Sequence, residues 1–180
     1  MRSPQSAASR LPLSCVSSVT LLWILLAGCA APAAHPPDGQ AGMACKDSNE
    51  QEIASLFDRW NASLQTGDPK QVVANYADKS ILLPTVSNRP RLTAAEKENY
   101  FRHFLESKPF GKIDLRFVDI GCNMAVDAGL YTFTMGATGQ VVPARYSFTY
   151  RWFPDLEGGK WLITSHHSSA MPETAPAAAH

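Results

Sequence analysis

The chain has 180 residues, with 16 Lys and Arg against 16 Asp and Glu, and an apolar fraction of 45%. This length allows one folded domain beside a targeting segment, and the neutral charge excludes a dedicated nucleic-acid binder, which would carry a basic stripe. Four cysteines without a CxxC motif exclude a disulfide-dense mini-protein and a zinc module.

The first 29 residues have the pattern of an export signal. Arg2 and Arg10 precede an apolar stretch over residues 19–27, and the chain has no acidic residue before Asp38. A positive segment followed by a short apolar run is typical of a signal peptide, and this run is shorter than the ~20 residues that cross a bilayer. We therefore expect residues 1–29 to direct export.

The signal ends in Leu-Ala-Gly-Cys, with the cysteine at position 29. This quartet resembles the bacterial lipobox, in which the cysteine is acylated and becomes the new N-terminus. The resemblance implies a lipid anchor on Cys29, and Ala30 after it implies sorting to the outer membrane, with the protein on the periplasmic side. The alternative is an ordinary signal peptide cleaved after Ala30 or Ala31.

Low-complexity segments flank the expected domain. Residues 30–44 are rich in Ala, Pro and Gly and predict a flexible tether. Residues 174–180 predict a disordered tail. The folded domain is expected over residues 45–173.

The cysteine count predicts one disulfide. Cys15 is removed with the signal and Cys29 carries the lipid, which leaves Cys45 and Cys122. Two thiols in an exported domain usually form a bridge. The alternative is two buried free thiols.

The spacing of apolar residues predicts a long helix at the start of the domain, ended by Gly67-Asp68-Pro69. A second, short helix is predicted over residues 69–77. Thr93 and Glu96 have the spacing of a capping box and begin a third helix, which ends at residues 109–111. The first helix places five apolar residues on one face: Ile53, Leu56, Phe57, Trp60 and Leu64.

After the third helix the apolar period changes from helical to alternating. A short strand is predicted before the third helix, over residues 81–83. Longer strands are predicted after it, over residues 113–117, 131–135, 142–153 and 161–167. Helices followed by a meander of antiparallel strands indicate an α+β fold.

The long strand over residues 142–153 has one aromatic face, formed by Tyr146, Phe148, Tyr150 and Trp152. A contiguous apolar patch in water usually marks an interface. We therefore expect this face to form a symmetric homodimer through the sheet. The alternative is that it packs on the long helix within one monomer.

Three motifs give the chain a family resemblance: LFDRWNASLQTGDP at 56–69, Gly121-Cys122, and KWLITSHHSSAMPE at 160–173. The layout resembles the NTF2-like superfamily, and specifically bacterial proteins with the association domain of calcium/calmodulin-dependent protein kinase II. The resemblance implies a cone-shaped fold in which a curved antiparallel sheet packs on a long helix and two shorter ones, encloses a pocket and forms dimers. Kinase activity is not expected, because the chain has no Gly-rich phosphate loop, HRD or DFG motif.

If the aromatic face turns outward, strand alternation turns Arg145 into the pocket, beside Trp60 and Tyr100 as apolar walls. A guanidinium binds a carboxylate through two parallel hydrogen bonds, so a small organic anion is the expected ligand. The resemblance to the kinase hub, which has pocket arginines on its sheet, also points to Arg151. The alternatives are that the arginines are solvated or pair with an acid such as Asp127, and one bulge would reverse the assignment.

His166 and His167 are adjacent, so a regular strand points them to opposite faces. Alternation groups His167 with Trp161 and Ile163, and we assign His167 to the pocket. The sequence leaves open which of the two faces the pocket, and the alternative role is a hydrogen-bonded structural histidine. No cofactor or metal site is expected.

These observations leave three functions open. The favoured one is a non-enzymatic, lipid-anchored module that oligomerises and binds a small molecule. The second is an NTF2-like isomerase, cyclase or dehydratase that uses a pocket His or Arg, and the third is a purely structural hub. A pocket residue tuned for proton transfer would indicate the enzyme, and the lack of a pocket would indicate the hub.

Overall fold

A computed structural model describes residues 44–85 and 87–173 of the chain. Cys29, the predicted export signal, nearly all of the predicted tether and the tail after residue 173 lie outside the described residues. Among the helices that are described, none is long and apolar enough to cross a membrane.

The described domain has an α+β fold with one mixed, mostly antiparallel sheet. The strand order is β1-β5-β4-β3-β2, and β1 alone pairs in parallel, with β5. The predicted fold class is confirmed, with this parallel edge as the difference from a fully antiparallel sheet. The elements in chain order are α1 (Glu50–Leu64), α2 (Pro69–Val73), β1 (Tyr76–Leu83), α3 (Ala94–Glu106), β2 (Pro109–Gly121), β3 (Met124–Met135), β4 (Val141–Phe153) and β5 (Lys160–Ala170).

Side-chain caps set the helix starts. Asn49 caps α1 and Asp68 caps α2, each by accepting a backbone N–H of the first turn, and Thr93 and Glu96 form the predicted capping box of α3. The second helix is shorter than predicted and ends at Val73. Tyr76, which we placed at the end of that helix, begins β1.

The aromatic face of β4 packs inside the monomer and does not form an outer surface. Tyr146, Phe148 and Tyr150 are buried beneath α1, and the Phe148 ring lies 5.5 Å from that of Trp60 and 6.2 Å from that of Phe57. We call this covered side of the sheet the inner face and the opposite side the outer face. The prediction of a dimer interface on the aromatic face is therefore wrong, because α1 already covers these rings.

One polar contact fixes α1 against the edge of the sheet. The Asn61 side chain donates to the carbonyl of Gly111 at 2.8 Å and accepts from its N–H at 2.9 Å. Asn61 and Gly111 are both buried, and a Cβ at position 111 would lie 3.2 Å from the Phe57 ring and 3.3 Å from Asn61 Oδ1, both on α1. Glycine therefore lets α1 approach β2 closely enough for the amide to pair with the strand backbone.

A disulfide joins Cys45 to Cys122 with an S–S distance of 2.08 Å, as predicted. It holds the segment before α1 on the turn between β2 and β3. The Asn123 side chain reinforces it by accepting from the Lys46 N–H at 2.7 Å and donating to the Ala44 carbonyl at 3.1 Å. The bridge spans 77 residues, for which loop-closure entropy gives about 4–5 kcal/mol of stabilisation.

Candidate functional site

The candidate site is a cavity of about 330 Å³ between α1, α3 and the inner face of the sheet. Aromatic and aliphatic side chains form most of its wall, chiefly Trp60, Leu82, Phe101, Phe104, Phe133 and Val142. Its polar groups come from Thr85, Tyr100, Ser107, Tyr131, Gln140, His166 and Ser168. The volume lies at the lower end of the range for small-molecule sites.

The structure brings His166 to the cavity and turns His167 away from it. His166 is 3% exposed and lines the cavity, whereas His167 is exposed on the outer face. The cause is a bulge in β5: Thr149 pairs with Ser165, but the next residue, Tyr150, pairs with Ile163. Thr164 is the extra residue, and it reverses the alternation that grouped His167 with the buried side chains. The assignment of His167 to the pocket is therefore wrong.

His166 is held by one hydrogen bond and two rings. Its Nδ1 lies 2.8 Å from the hydroxyl of Tyr76, its ring stacks on Phe148 at 4.1 Å, and the edge of Trp60 meets it at 5.3 Å. Nε2 is buried and has no partner among the described residues. Burial lowers the pKa of His166 to about 3, with the charge of His167 as a smaller cause. The imidazole is therefore neutral at physiological pH.

A chain of three hydroxyl groups lies along the same wall. The Tyr131 hydroxyl donates to Ser168 Oγ at 2.6 Å, and Ser168 Oγ in turn pairs with Thr85 Oγ1. His166 and Ser168 alternate along β5, so both point inward past the bulge. Burial raises the pKa of Tyr131, so this chain also stays neutral.

The structure places Trp60 and Tyr100 in the cavity wall, where we expected them, but leaves Arg145 outside. Arg145 lies exposed on the outer face, where its Nε donates to Ser169 Oγ at 3.1 Å. Since Tyr146 points inward, alternation turns its neighbour Arg145 outward. Arg151 is also exposed on the outer face. The expectation of an arginine beneath the aromatic walls is therefore corrected.

The buried carboxylate of Asp127 does not pair with Arg145 or Arg151, the two arginines that the sequence suggested. Its Oδ1 accepts from the Tyr146 hydroxyl at 2.7 Å and from Arg116 Nε at 3.3 Å, and neither Arg145 nor Arg151 contacts it. Burial raises the pKa of Asp127, while Tyr146 and Arg116 act in the opposite direction. This cluster packs beneath α1 and does not line the cavity.

No side chain that lines the cavity within residues 44–85 and 87–173 carries a charge at neutral pH. Burial raises the pKa of Tyr100 to about 12, so that phenol is also neutral. Arg91 packs on the Tyr100 ring at 5.8 Å but is engaged with the Arg89 carbonyl and Ser87. The cavity is thus suited to hold an apolar molecule through a few neutral donors.

Sequence reasoning missed Ser168, Thr85 and Tyr131, and it left open whether His166 or His167 faces the cavity. The alternation of Tyr131 with Phe133 was visible, but nothing marked its hydroxyl as part of a chain. The spacing of two residues places His166 and Ser168 on the same face of a strand. The bulge at Thr164 has no sequence signal, so the sequence does not show whether that face is the inner or the outer one. Thr85 lies between the strand predicted at residues 81–83 and the helix that begins at Thr93, and only the fold brings it to Ser168.

Fold and cavity together define an NTF2-like domain. The chain belongs to the calcium/calmodulin dependent protein kinase II association domain family, whose model matches residues 49–172. The 180 residues contain no kinase domain.

Solved structures agree with this assignment. A Xanthomonas campestris protein named for the same association domain is 45% identical, with a TM-score of 0.66 over 73% of this chain and 97% of that one. An NTF2-like protein of unknown function from Pseudomonas putida is 17% identical, with a TM-score of 0.59 over 71% and 96%. A Parabacteroides distasonis structure named a ketosteroid isomerase is 17% identical, with a TM-score of 0.55 over 70% and 90%, and shares the fold alone. No curated protein matches the chain.

Proposed function

We propose that the protein is a non-enzymatic module that self-associates and binds a small, largely apolar molecule in the cavity between α1, α3 and the sheet. The observation that carries this proposal is the cavity itself: about 330 Å³, walled by aromatic rings, with neutral polar groups among them. A structural hub has no need for such a space, because tightly packed interiors contain few voids larger than a water molecule.

The protonation states of the wall favour binding over catalysis. A general acid or base works best with a pKa near the operating pH. Burial moves the pKa values of His166 and Tyr100 away from pH 7 in opposite directions, to about 3 and about 12. Both side chains are therefore uncharged at pH 7. Neither group is poised to exchange a proton with a substrate at pH 7, which argues against the isomerase or dehydratase alternative.

Self-association is supported by the family and by the outer face of the sheet. An association domain is named for assembly. On the outer face, Leu115 and Phe117 are 56% and 62% exposed, and they lie beside Leu130 and Ala128 of β3 in the strand register. A closed dimer through this face would remove these side chains from water.

Attachment to a membrane through Cys29 is part of the proposal. The bridge between Cys45 and Cys122 is what an oxidising, extracytoplasmic compartment allows. Cys29→Ser should move the protein from the membrane fraction to the soluble periplasmic fraction when it is produced in a bacterial host. Cys15→Ser, within the same signal, is the matched control. Membrane retention of Cys29→Ser would contradict the anchor.

Ligand binding is tested by a thermal-shift screen of small neutral and charged organic molecules. A ligand of the folded state raises the melting temperature in proportion to its occupancy. Ala144 lines the cavity, so Ala144→Leu should fill the space and abolish the shift. Ala95→Leu, on the exposed surface of α3 and away from the cavity, should leave the shift intact. No stabilisation of the wild-type protein by any member would favour the structural hub.

A further inference from the structure

The hydroxyl chain in the cavity contains one hydrogen more than it can use. Tyr131, Ser168 and Thr85 contribute three O–H groups, but the chain has only two contacts between them. Each contact takes one hydrogen, and none of the three hydroxyls has a further hydrogen bond within 3.5 Å among the described residues. The Tyr131 hydroxyl is also close enough to Thr85 to sense it, but not within that distance. One O–H, on Ser168 or on Thr85, is therefore left over at the cavity wall whichever way the second contact points.

The neighbouring imidazole also has a donor to spare. A neutral histidine carries one N–H and one acceptor nitrogen. We assign the hydrogen of the Tyr76 hydroxyl to the 2.8 Å contact with Nδ1, because the opposite tautomer would leave that buried hydroxyl hydrogen unpaired as well as Nε2. The hydrogen of the ring is then on Nε2, which has no partner in the described part of the chain. Leaving a buried donor unpaired is unfavourable, and buried polar groups in folded proteins usually have partners.

Both spare groups are donors, and the wall holds no cation. An acceptor on a ligand would satisfy them, whereas a carboxylate would lose its hydration without gaining an opposite charge, which is strongly unfavourable. Resting on the proposed binding function, we propose that the ligand is a neutral, largely apolar molecule with a carbonyl-type acceptor directed at the wall formed by Thr85, Ser168 and His166. This replaces the organic anion that Arg145 suggested.

The cavity also limits the size of this ligand. Its volume of about 330 Å³ corresponds to roughly eleven water molecules at about 30 Å³ each. A ligand of about ten non-hydrogen atoms therefore fits, which is one ring with a short substituent. The rings of Trp60, Phe101 and Phe133 would contact its apolar body.

Three probes of equal size test the proposal by calorimetric titration of the wild-type protein. Acetophenone carries a neutral carbonyl, isopropylbenzene has the same shape without an acceptor, and benzoate carries a charge. Acetophenone should bind about tenfold more tightly than isopropylbenzene, the value of two neutral hydrogen bonds of about 3-fold each, one from the hydroxyl chain and one from His166, and at least tenfold more tightly than benzoate. Benzoate binding as well as acetophenone would overturn this inference while leaving the binding function in place. Failure of all three at millimolar concentration would also overturn this inference, whereas the binding function would fall only if the thermal-shift screen found no ligand either.

A variant locates the donor. The substitutions Thr85→Val, Tyr131→Phe and Ser168→Ala together remove all three hydroxyls with little change in volume, whereas any single removal still leaves at least one spare hydrogen. In the triple variant the preference for acetophenone over isopropylbenzene should fall to that of His166 alone, about 3-fold or less. Ser169→Ala, next to Ser168 but on the outer side, should keep the wild-type preference. An undiminished preference in the triple variant would remove the hydroxyl chain from the site.

Discussion

At the scale of single residues, His166 determines how the cavity can act. Its imidazole is buried between Phe148 and Trp60 and bonded to Tyr76, so charging it would place an unpaired cation in an apolar interior. The residue type was evident from the sequence, but its environment was not, since the neighbouring His167 has the same type and the opposite surroundings. The chemistry of this site follows from burial, which no sequence pattern at this position indicates.

This burial predicts a pH dependence of stability. Histidine in an unfolded chain has a pKa near 6.5, and in the fold the pKa of His166 is lowered to about 3. Between these values the unfolded state binds a proton that the folded state does not. The free energy of unfolding should therefore fall as the pH decreases through this window, by up to about 1.4 kcal/mol for each pH unit.

Denaturation by urea at pH 7 and at pH 4.5 measures the effect. His166→Phe should be less stable than the wild type at pH 7 by about 1–3 kcal/mol, because the Tyr76 hydroxyl loses its partner, but it should lose less stability on acidification. His167→Phe, on the exposed side, is the matched control and should keep the wild-type slope. An equal slope in all three proteins would mean that His166 is not buried as described.

At the scale of secondary-structure elements, the periodicity of apolar residues predicted the helices and strands. It did not predict which side chains of β5 point to the inner face of the sheet. The caps at Thr93 and Glu96 and the apolar stripe of α1 are local signals, and both were read correctly. The bulge at Thr164 depends on how β5 pairs with β4 and with the parallel strand β1. A single extra residue turns every later side chain of the strand to the opposite face of the sheet. The local sequence pattern therefore cannot predict which residues of β5 line the cavity.

The link between α1 and β2 gives a prediction at this scale. Asn61→Leu should leave the buried N–H and carbonyl of Gly111 without their side-chain partner, at a cost of about 1–3 kcal/mol for each group. Asn99→Leu, on the exposed surface of α3, provides the control. Guanidinium denaturation should show a loss of at least ~2 kcal/mol for the first variant alone, and equal stability of both would show that the bridge is not needed.

At the scale of the whole molecule, the disulfide bears on global stability and the outer face of the sheet bears on assembly. The bridge was predictable because compartment and cysteine count leave one pairing. The aromatic side of β4 could not be assigned from the sequence, because either side of a sheet can pack on a helix. It is the more apolar side, and for that reason α1 covers it, which leaves the outer side as the surface that we propose for self-association.

Removal of the bridge should lower global stability. Cys45→Ser combined with Cys122→Ser opens a 77-residue loop and should reduce the free energy of unfolding by about 4–5 kcal/mol. The wild-type protein in a reducing agent should show the same decrease, whereas the double variant should not respond to the reducing agent. A decrease below ~1 kcal/mol would indicate that the Asn123 contacts hold the segment without the bridge.

Sedimentation at micromolar concentration tests the outer face. Wild-type protein should sediment as a dimer or a larger assembly, and the double change Leu115→Lys and Phe117→Lys should shift it toward the monomer. Leu92 is similarly exposed, at 57%, in the segment before α3, so Leu92→Lys should leave the assembly unchanged. A monomeric wild-type profile would contradict self-association through this face.

The most direct test of the central claim is a proton–nitrogen NMR spectrum of the imidazole groups, recorded with and without acetophenone. We expect His166 to stay neutral from pH 7.5 to pH 5, with its hydrogen on Nε2, and acetophenone to shift its resonances while those of His167 do not move. Titration of His166 near pH 6.5, or a ligand-induced shift at His167 with none at His166, would contradict a neutral binding cavity at this position.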